Sequence, residues 1–339
     1  MGRDVTDLDL ATDAEPKEML RLAEEDGIKA VPTGIDHGTV TFVVDGEPYE
    51  ITTFRNDVET DGRHATVAFS KDFREDAKRR DFTMNALYAK PDGSVLDPVF
   101  GLTDLCSGIV RFVGDATLRI NEDYLRILRF FRFHAWYGNT NKGIEPEGLA
   151  ACAEHVDQLP SLSRERVTVE LLKLLSAPDP SMAVSSMDAI GVLMHLLPGS
   201  SATALPVLIH LEVENGLVVD PIARLCALGG EPENHLRLSK AQERTLFAYR
   251  DAYESPHETG YRLGELALHN LAIQAAHFGV ILDSKQVEKA KIGMSAEFPV
   301  KAQDLMPTLS GKALGDKLKE LEQRWIISEF QLTKDQLLD

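Results

Sequence analysis

Thr6-Asp7-Leu8-Asp9-Leu10-Ala11-Thr12 places two carboxylates one residue apart inside an apolar run at the start of the chain. In a strand, successive side chains point to opposite faces. Asp7 and Asp9 are therefore expected on one face, with Leu8 and Leu10 turned into a core. Neighbouring carboxylates repel unless a positive charge sits between them. A hard divalent cation, which prefers oxygen ligands and carries substrate phosphates, meets that need. Taken alone, the doublet reads more readily as a capping or turn pair, since Asp13 and Glu15 before Pro16 show acidic residues gathering at a helix start. The rest of the chain decides between the two.

Pro16 to Asp26 reads as a short amphipathic helix with Met19, Leu20, Leu22 and Ala23 as its apolar face, ended by Asp26-Gly27. Val31 to Thr33 and the β-branched run Gly38 to Val44 follow as extended segments. Asp45-Gly46 is a two-residue hairpin signal, and Tyr49 to Arg55 is the returning strand. Glu50, Thr52 and Phe54 share one face of that strand. A carboxylate there is either a third member of an acidic site or a salt-bridged edge residue. Residues 56–78 read as a surface loop followed by a charged helical turn, and Arg79 to Tyr88 as a helix-forming run. The double arginine Arg79-Arg80 suits a triphosphate clamp, because guanidinium binds phosphate bidentately; a solvated charge pair is the plainer alternative. Asp92-Gly93 closes a second hairpin, and Ile109 to Val113 is strand-like.

From residue 116 onward helical periodicity dominates. In Glu122 to Phe133 the arginines Arg126, Arg129 and Arg132 fall three apart, with Asp123 three before Arg126, and leucines and phenylalanines fill most of the remaining circumference. Arginines bordering a core are expected to point into a cleft. An Asp and an Arg on one helix present an acceptor and a planar donor fork that together read a nucleobase edge. The same spacing also makes an ordinary helix salt bridge. Ser161 to Leu175 is a further helix, expected to be capped by Ser163 and stopped by Pro178. Arg164 and Arg166 stand at the end of it that the helix dipole disfavours for cations, which hints at contact with the base-reading helix. Later runs, among them 205–217, 222–228, 241–253, 260–278 and 284–292, suggest an all-helical body. Its histidines, His210, His235, His257, His269 and His277, are not spaced as a metal site.

The 339 residues suffice for two or three domains, and 43% hydrophobic with 27% charged residues is ordinary for a soluble globular protein. No apolar stretch approaches about eighteen residues and no apolar leader opens the chain, so neither a membrane span nor a signal peptide is expected and a cytoplasmic location is. Cys106, Cys152 and Cys226 are widely spaced, which argues against disulfides and zinc and for plain buried thiols. The net charge of -18 does not decide the partner, because phosphate backbones are bound by local basic surfaces.

The stretches quoted above, with Asp97-Pro98, Gly101, Asp104-Leu105, Ser163-Arg164-Glu165-Arg166-Val167 and Glu170-Leu171, fall in an order that resembles the class II tRNA nucleotidyltransferase and poly(A) polymerase family. These are the CCA-adding enzymes of the polymerase β superfamily. The likeness covers the first half of the chain through specific motifs and the helical second half more loosely. It implies an α+β fold: a polymerase β-like nucleotidyltransferase head of mixed sheet and helices over 1–115, a helical neck over 116–185 that selects the nucleotide, and a helical body and tail over 186–339 that bind tRNA. The implied activity is template-independent addition or repair of the 3'-terminal CCA of tRNA from CTP and ATP, with release of pyrophosphate. Asp7 and Asp9 are expected to bind Mg2+, with Glu50 as a third acidic group. Arg80, Asp81 and Asn85 are expected to contact the incoming nucleotide. Asp123 and Arg126 form the protein template for C and A, while Arg129 and Arg132 shape the base pocket. Segment 56–78 corresponds to the family's flexible loop, which helps the switch between CTP and ATP. The lysines Lys285, Lys289, Lys291, Lys312, Lys317 and Lys319 are candidates for the tRNA surface, or else a solvated face. Family members also carry Gly-Gly-x-Val-Arg-Asp before the paired aspartates, a turn that supplies backbone N–H groups to the triphosphate. Only Met1 to Thr6 precede Asp7 here, so an N-terminally truncated head is expected. A poly(A) polymerase and a truncated, inactive tRNA-binding protein are the alternatives.

Overall fold

The computed structural model describes residues 8–61, 64–306 and 308–339. The chain forms two compact units. One holds the residues up to Glu170 with Ala189–His195, the other Leu171–Asp188 and Leu196–Asp339. Mixed sheet and helices make the first, and helices the second, so the fold is α+β.

The first unit opens on β1 (Leu10–Thr12), α1 (Pro16–Glu25), β2 (Lys29–Gly34), β3 (Thr39–Val44) and β4 (Glu47–Thr53). The strands lie in the order β1-β4-β3-β2, with β1 parallel to β4 and the other pairs antiparallel. Pro16 starts α1 without loss of a helical hydrogen bond, and Met19 and Ala23, four apart, are buried where the helix runs along β2 and β3. The β3–β4 turn is the expected Asp45-Gly46 pair, both in the left-handed region at φ 53° and 88°. One expectation fails at β1. Leu8 is 52% and Leu10 36% exposed, because β1 has a described partner only at β4 and α1 packs farther along the sheet.

Of the loop and charged helical turn expected over 56–78, the loop is instead a β-hairpin, while the turn is present as a short helix. β5 (Arg55–Asp61) pairs with β6 (His64–Phe69), starting from Arg55 opposite Phe69, and α2 (Phe73–Lys78) follows, capped by Asp72 accepting from Arg74 N at 2.9 Å. Arg79 to Tyr88 is not a helix. It holds one 3-10 turn, Thr83–Asn85, and β7 (Tyr88–Ala89), which pairs with β8 (Val95–Leu96) across the expected Asp92-Gly93 turn. Packing decides this. Phe82 is buried with its ring 5.0 Å from Phe112 and 4.9 Å from Phe133, and it takes extended backbone to bridge Phe112. That single bridge is the only pairing the strand-like Ile109 to Val113 makes among the described residues.

Next come α3 (Gly101–Ser107), α4 (Ala116–Glu122), α5 (Leu125–Tyr137), α6 (Pro146–Glu154) and α7 (Arg164–Leu175). Asp97 caps α3 through the N–H groups of Gly101 (2.7 Å) and Leu102 (2.9 Å), while Asp104 accepts from the Thr83 hydroxyl at 2.7 Å. Ile127, Leu128, Phe130 and Phe131 form the buried face of α5. Ser163 does not cap α7 as expected: its Oγ is buried without a hydrogen-bond partner among the described residues.

In the second unit, Arg224 on helix Pro221–Leu228 pairs with Glu212 on helix Leu205–Asn215. Both are buried, and the guanidinium also donates to the carbonyls of Leu175 (2.7 Å) and Pro178 (3.2 Å). The run 260–278 is two helices, Pro256–Leu263 and Ala267–Phe278, broken at Gly264 with φ 54°. Cys152 and Cys226 are buried as expected, and burial pushes the Cys226 thiol up to about 11. Cys106 is exposed, against expectation. No described helix is long and apolar enough to cross a membrane.

Candidate active site

The first part of the site lies on the sheet. Leu10 partners Ile51, and continuing that parallel register back by one residue places Asp9 beside Glu50. Partnered residues of adjacent strands share a face, which here also holds Thr52 opposite Thr39 (Oγ1 to Oγ1 3.1 Å) and Thr41 opposite Glu50. Asp9 and Glu50 are exposed, and neither forms an ion pair or side-chain hydrogen bond with another described residue. Asp7 lies outside the described residues. No cluster of three metal-ligating side chains occurs among the described residues. Two unpaired carboxylates side by side nonetheless fit Mg2+, which takes oxygen donors from one or two carboxylates and completes its shell with phosphate and water.

The second part is Arg79 to Asn85. Arg79 Nε donates to Asp76 Oδ1 at 2.8 Å, and Arg80 Nε to Asp76 Oδ2 at 3.2 Å. Arg80 also donates to the Asn85 carbonyl (3.1 Å) and lies with its guanidinium carbon 5.1 Å from the centre of the Tyr88 ring. Asp81 accepts from Asn85 Nδ2 at 3.0 Å. Burial acts to raise the Asp76 pKa, but Arg79, the Tyr88 hydroxyl and Arg80 outweigh it and hold the carboxyl below its ordinary value. The same set acts on Arg80, whose pKa is raised although burial opposes it.

The third part is α4 and α5. Asp123 and Arg126 do not sit on one helix. The chain breaks at Asp123, which is extended at φ -160° and ψ 107° between the two helices. The two side chains are not paired with each other. Asp123 accepts from Leu125 N (3.1 Å) and from Arg166 Nη2 on α7 (2.5 Å), so the expected contact of Arg166 with the segment that carries Asp123 is present. Arg126 pairs with Glu122 and donates to the Arg119 carbonyl at 2.8 Å. Arg129 Nε donates to Asp81 Oδ2 at 2.7 Å, which ties the second part to the third. Arg132 Nε donates to Glu170 Oε2 at 2.5 Å.

The structure thus brings together Arg80, Asp81, Asn85, Arg129 and Arg132, and sets Asp9 beside Glu50. It pairs Asp123 and Arg126 with other partners. Three carboxylates that organise these arginines were given no role from the sequence: Asp76, which no motif contained, and Glu122 and Glu170, which were quoted only as members of motifs. The signal for Asp76 was local, since it precedes Arg79 and Arg80 by the three and four residues that pair side chains on a helix. Glu170 lies 38 residues from Arg132, and no spacing rule reaches that far.

Residues 1–111 match the model of the poly(A) polymerase head domain, and residues 143–203 that of a probable RNA and SrmB-binding site of polymerase A. The chain is 32% identical to the mitochondrial CCA tRNA nucleotidyltransferase 1 of Danio rerio, over 99% of this chain and 83% of that protein. It is 42% identical to a CCA-adding enzyme of Levilactobacillus brevis, over 57% of this chain and 47% of that one. The fold is similar to that of the Bacillus stearothermophilus CCA-adding enzyme in complex with CTP, with a TM-score of 0.68 and 24% identity over 98% of this chain and 87% of that one. A likeness of this extent to the Danio rerio protein makes the chain a nucleotidyltransferase. The chain belongs to the CCA tRNA nucleotidyltransferase and poly(A) polymerase family.

Proposed function

We propose that this protein adds or repairs the 3'-terminal CCA of tRNA from CTP and ATP. What carries the reading is the likeness to the Danio rerio CCA tRNA nucleotidyltransferase along almost the whole chain. In the reaction the 3'-hydroxyl oxygen of tRNA forms a bond to the α-phosphorus, the α–β bridging bond breaks, pyrophosphate leaves and the hydroxyl proton is released. Asp7, Asp9 and Glu50 hold Mg2+, which when bound neutralises phosphate charge and eases loss of that proton. Arg80, Asp81 and Asn85 hold the nucleotide, with Arg129 and Arg132 bracing the pocket. Asp123 accepts from the exocyclic amino group that C and A share, and Arg126 donates to the adjacent ring acceptor; G and U present a carbonyl where the amino group is required. To read a base, Asp123 releases Arg166 and Arg126 releases Glu122. Residues 1–115 serve as the catalytic head, 116–185 as the nucleotide-selecting neck and 186–339 as the tRNA-binding body and tail, and we place the work in the cytoplasm.

Incubating the protein with tRNA lacking CCA and each labelled nucleotide tests this. Incorporation of C and then A, with G and U refused, is expected. Absence of any incorporation overturns the reading, and a long tail made from ATP alone reassigns the chain to poly(A) synthesis.

A further inference from the structure

The geometry points to Asp76 as a positioning residue for the incoming triphosphate, its buried carboxylate aiming Arg79 and Arg80 together. This rests on the nucleotidyl-transfer reading above and extends it to a residue to which neither the motifs nor the comparisons give a role. Asp76 is 2% exposed and takes four donors on two oxygens. Oδ1 accepts from the Arg55 backbone N–H (3.3 Å) and Arg79 Nε (2.8 Å), while Oδ2 accepts from Arg80 Nε (3.2 Å) and the Tyr88 hydroxyl (2.6 Å). Only an ionised carboxylate, acceptor on both oxygens, satisfies such a set.

The consequences differ for the two arginines. Arg80 also donates through Nη1 to the Asn85 carbonyl (3.1 Å) and lies over the Tyr88 ring. Arg79 is held through Nε, and its terminal nitrogens have no acceptor among the described residues. A guanidinium fixed at its neck with a free two-pronged end is built to take a bidentate oxyanion. The Arg55 amide begins β5, so the same carboxylate also anchors the base of the β5–β6 hairpin beside the arginines. Asp76→Asn keeps size and shape but turns one oxygen into an NH2 donor. Either the Arg55 and Arg79 pair or the Arg80 and Tyr88 pair then faces a donor, and two adjacent guanidinium groups lose their shared counter-charge.

The test compares unmutated protein, Asp76→Asn and Tyr88→Phe, each checked for folding by circular dichroism. Steady-state incorporation of CTP and ATP is measured alongside calorimetric binding of tripolyphosphate, which reports on the arginines without turnover. Asp76→Asn is expected to raise KM for CTP and for ATP by one common factor of about tenfold and to weaken tripolyphosphate by the same factor, with kcat less affected. A common factor follows because phosphates, not bases, are what the arginines meet. Tyr88→Phe removes one donor of the four and is expected to move all three constants the same way by less; it carries the test if Asp76→Asn fails to fold. Constants that stay the same or tighten in folded variants overturn the proposal, leaving Asp76 a mere counter-charge, as does a lowered kcat alone. If the unmutated protein binds tripolyphosphate yet incorporates neither nucleotide, the enzymatic reading falls, and the binding ratio still judges Asp76.

Discussion

Asp9 is exposed and unpaired among the described residues, so its carboxylate contributes little to folding. Asp9→Asn is expected to leave the thermal midpoint nearly unchanged, since surface changes of this kind fall within about 0.5 kcal/mol. Incorporation of both nucleotides is expected to drop by about a hundredfold or more, because on the proposed reading Asp9 is a metal ligand and has lost its charge. A midpoint that holds with activity intact would remove Asp9 from the metal site. His134, on α5, behaves in the opposite manner. It is 3% exposed, its Nε2 has no hydrogen-bond partner among the described residues, and burial holds the imidazole below its ordinary value of 6.5. Below that value the unfolded chain takes up a proton that the folded chain refuses. The neutral ring's stability is therefore fully present above pH 6.5 and lost as pH falls through the range beneath it. Thermal midpoints measured from about pH 7.5 down to about pH 5.5 are expected to decline, and the decline to be shallower in His134→Leu, which has no ring to charge. Parallel curves for the two proteins would show that other groups set the acid limb.

Elements are joined here at places where backbone meets backbone. A Cβ on Gly260 would lie 2.0 Å from the Ala290 carbonyl oxygen, and one on Gly293 2.1 Å from that of His257, so helices Pro256–Leu263 and Ser284–Ser295 touch through their glycines. Gly260→Ala or Gly293→Ala forces the helices apart, and a loss of about 1–3 kcal/mol in denaturant unfolding is expected, as for other overpacked contacts. An unchanged midpoint would mean that the helices slide without cost. The glycines themselves did not announce the contact, since a glycine in a helical run costs about 1 kcal/mol against alanine whether or not a second helix lies against it. What was legible had a local cause. Asp45-Gly46 announces its hairpin because both positions must be left-handed, and Met19 with Ala23 announces α1 by spacing. β5 was illegible because Arg55 to Asp61 contains one apolar residue, Val58, and no alternation. The break at Asp123 was hidden because the apolar period of α5 can be continued back through Glu122, and the extended backbone there shows only in the structure. The site followed the same rule. Its motifs could be read in order, but the partners that hold them, Arg166 for Asp123 and Glu170 for Arg132, come from 43 and 38 residues away.

At the scale of the molecule the question is how a chain with 54 acidic and 36 basic residues holds a polyanion. Five arginines of the first unit do not answer it. Arg119, Arg126, Arg129, Arg132 and Arg166 are each engaged with a carboxylate of their own unit. The lysines of the second unit divide differently. Lys289 is paired with Glu329 and Lys317 with Glu320, but Lys285, Lys291, Lys312 and Lys319 are exposed and have no ion pair among the described residues. Lys312 and Lys319 are seven apart on helix Gly311–Ile327, two turns along one face. Cations without a carboxylate partner are the ones that can release counterions from phosphate, so these are the lysines expected to carry tRNA affinity on the proposed reading. Replacing Lys312 and Lys319 by Gln is expected to weaken binding of tRNA lacking CCA and to make the slope of log affinity against log salt shallower by roughly one per lost contact, whatever the tRNA sequence. KM for CTP is expected to stay the same, because the nucleotide pocket is built from other residues. Filter binding over a range of salt concentrations measures the slope directly. If the slope does not change while KM rises, these lysines act on the nucleotide and the tRNA surface must be sought elsewhere.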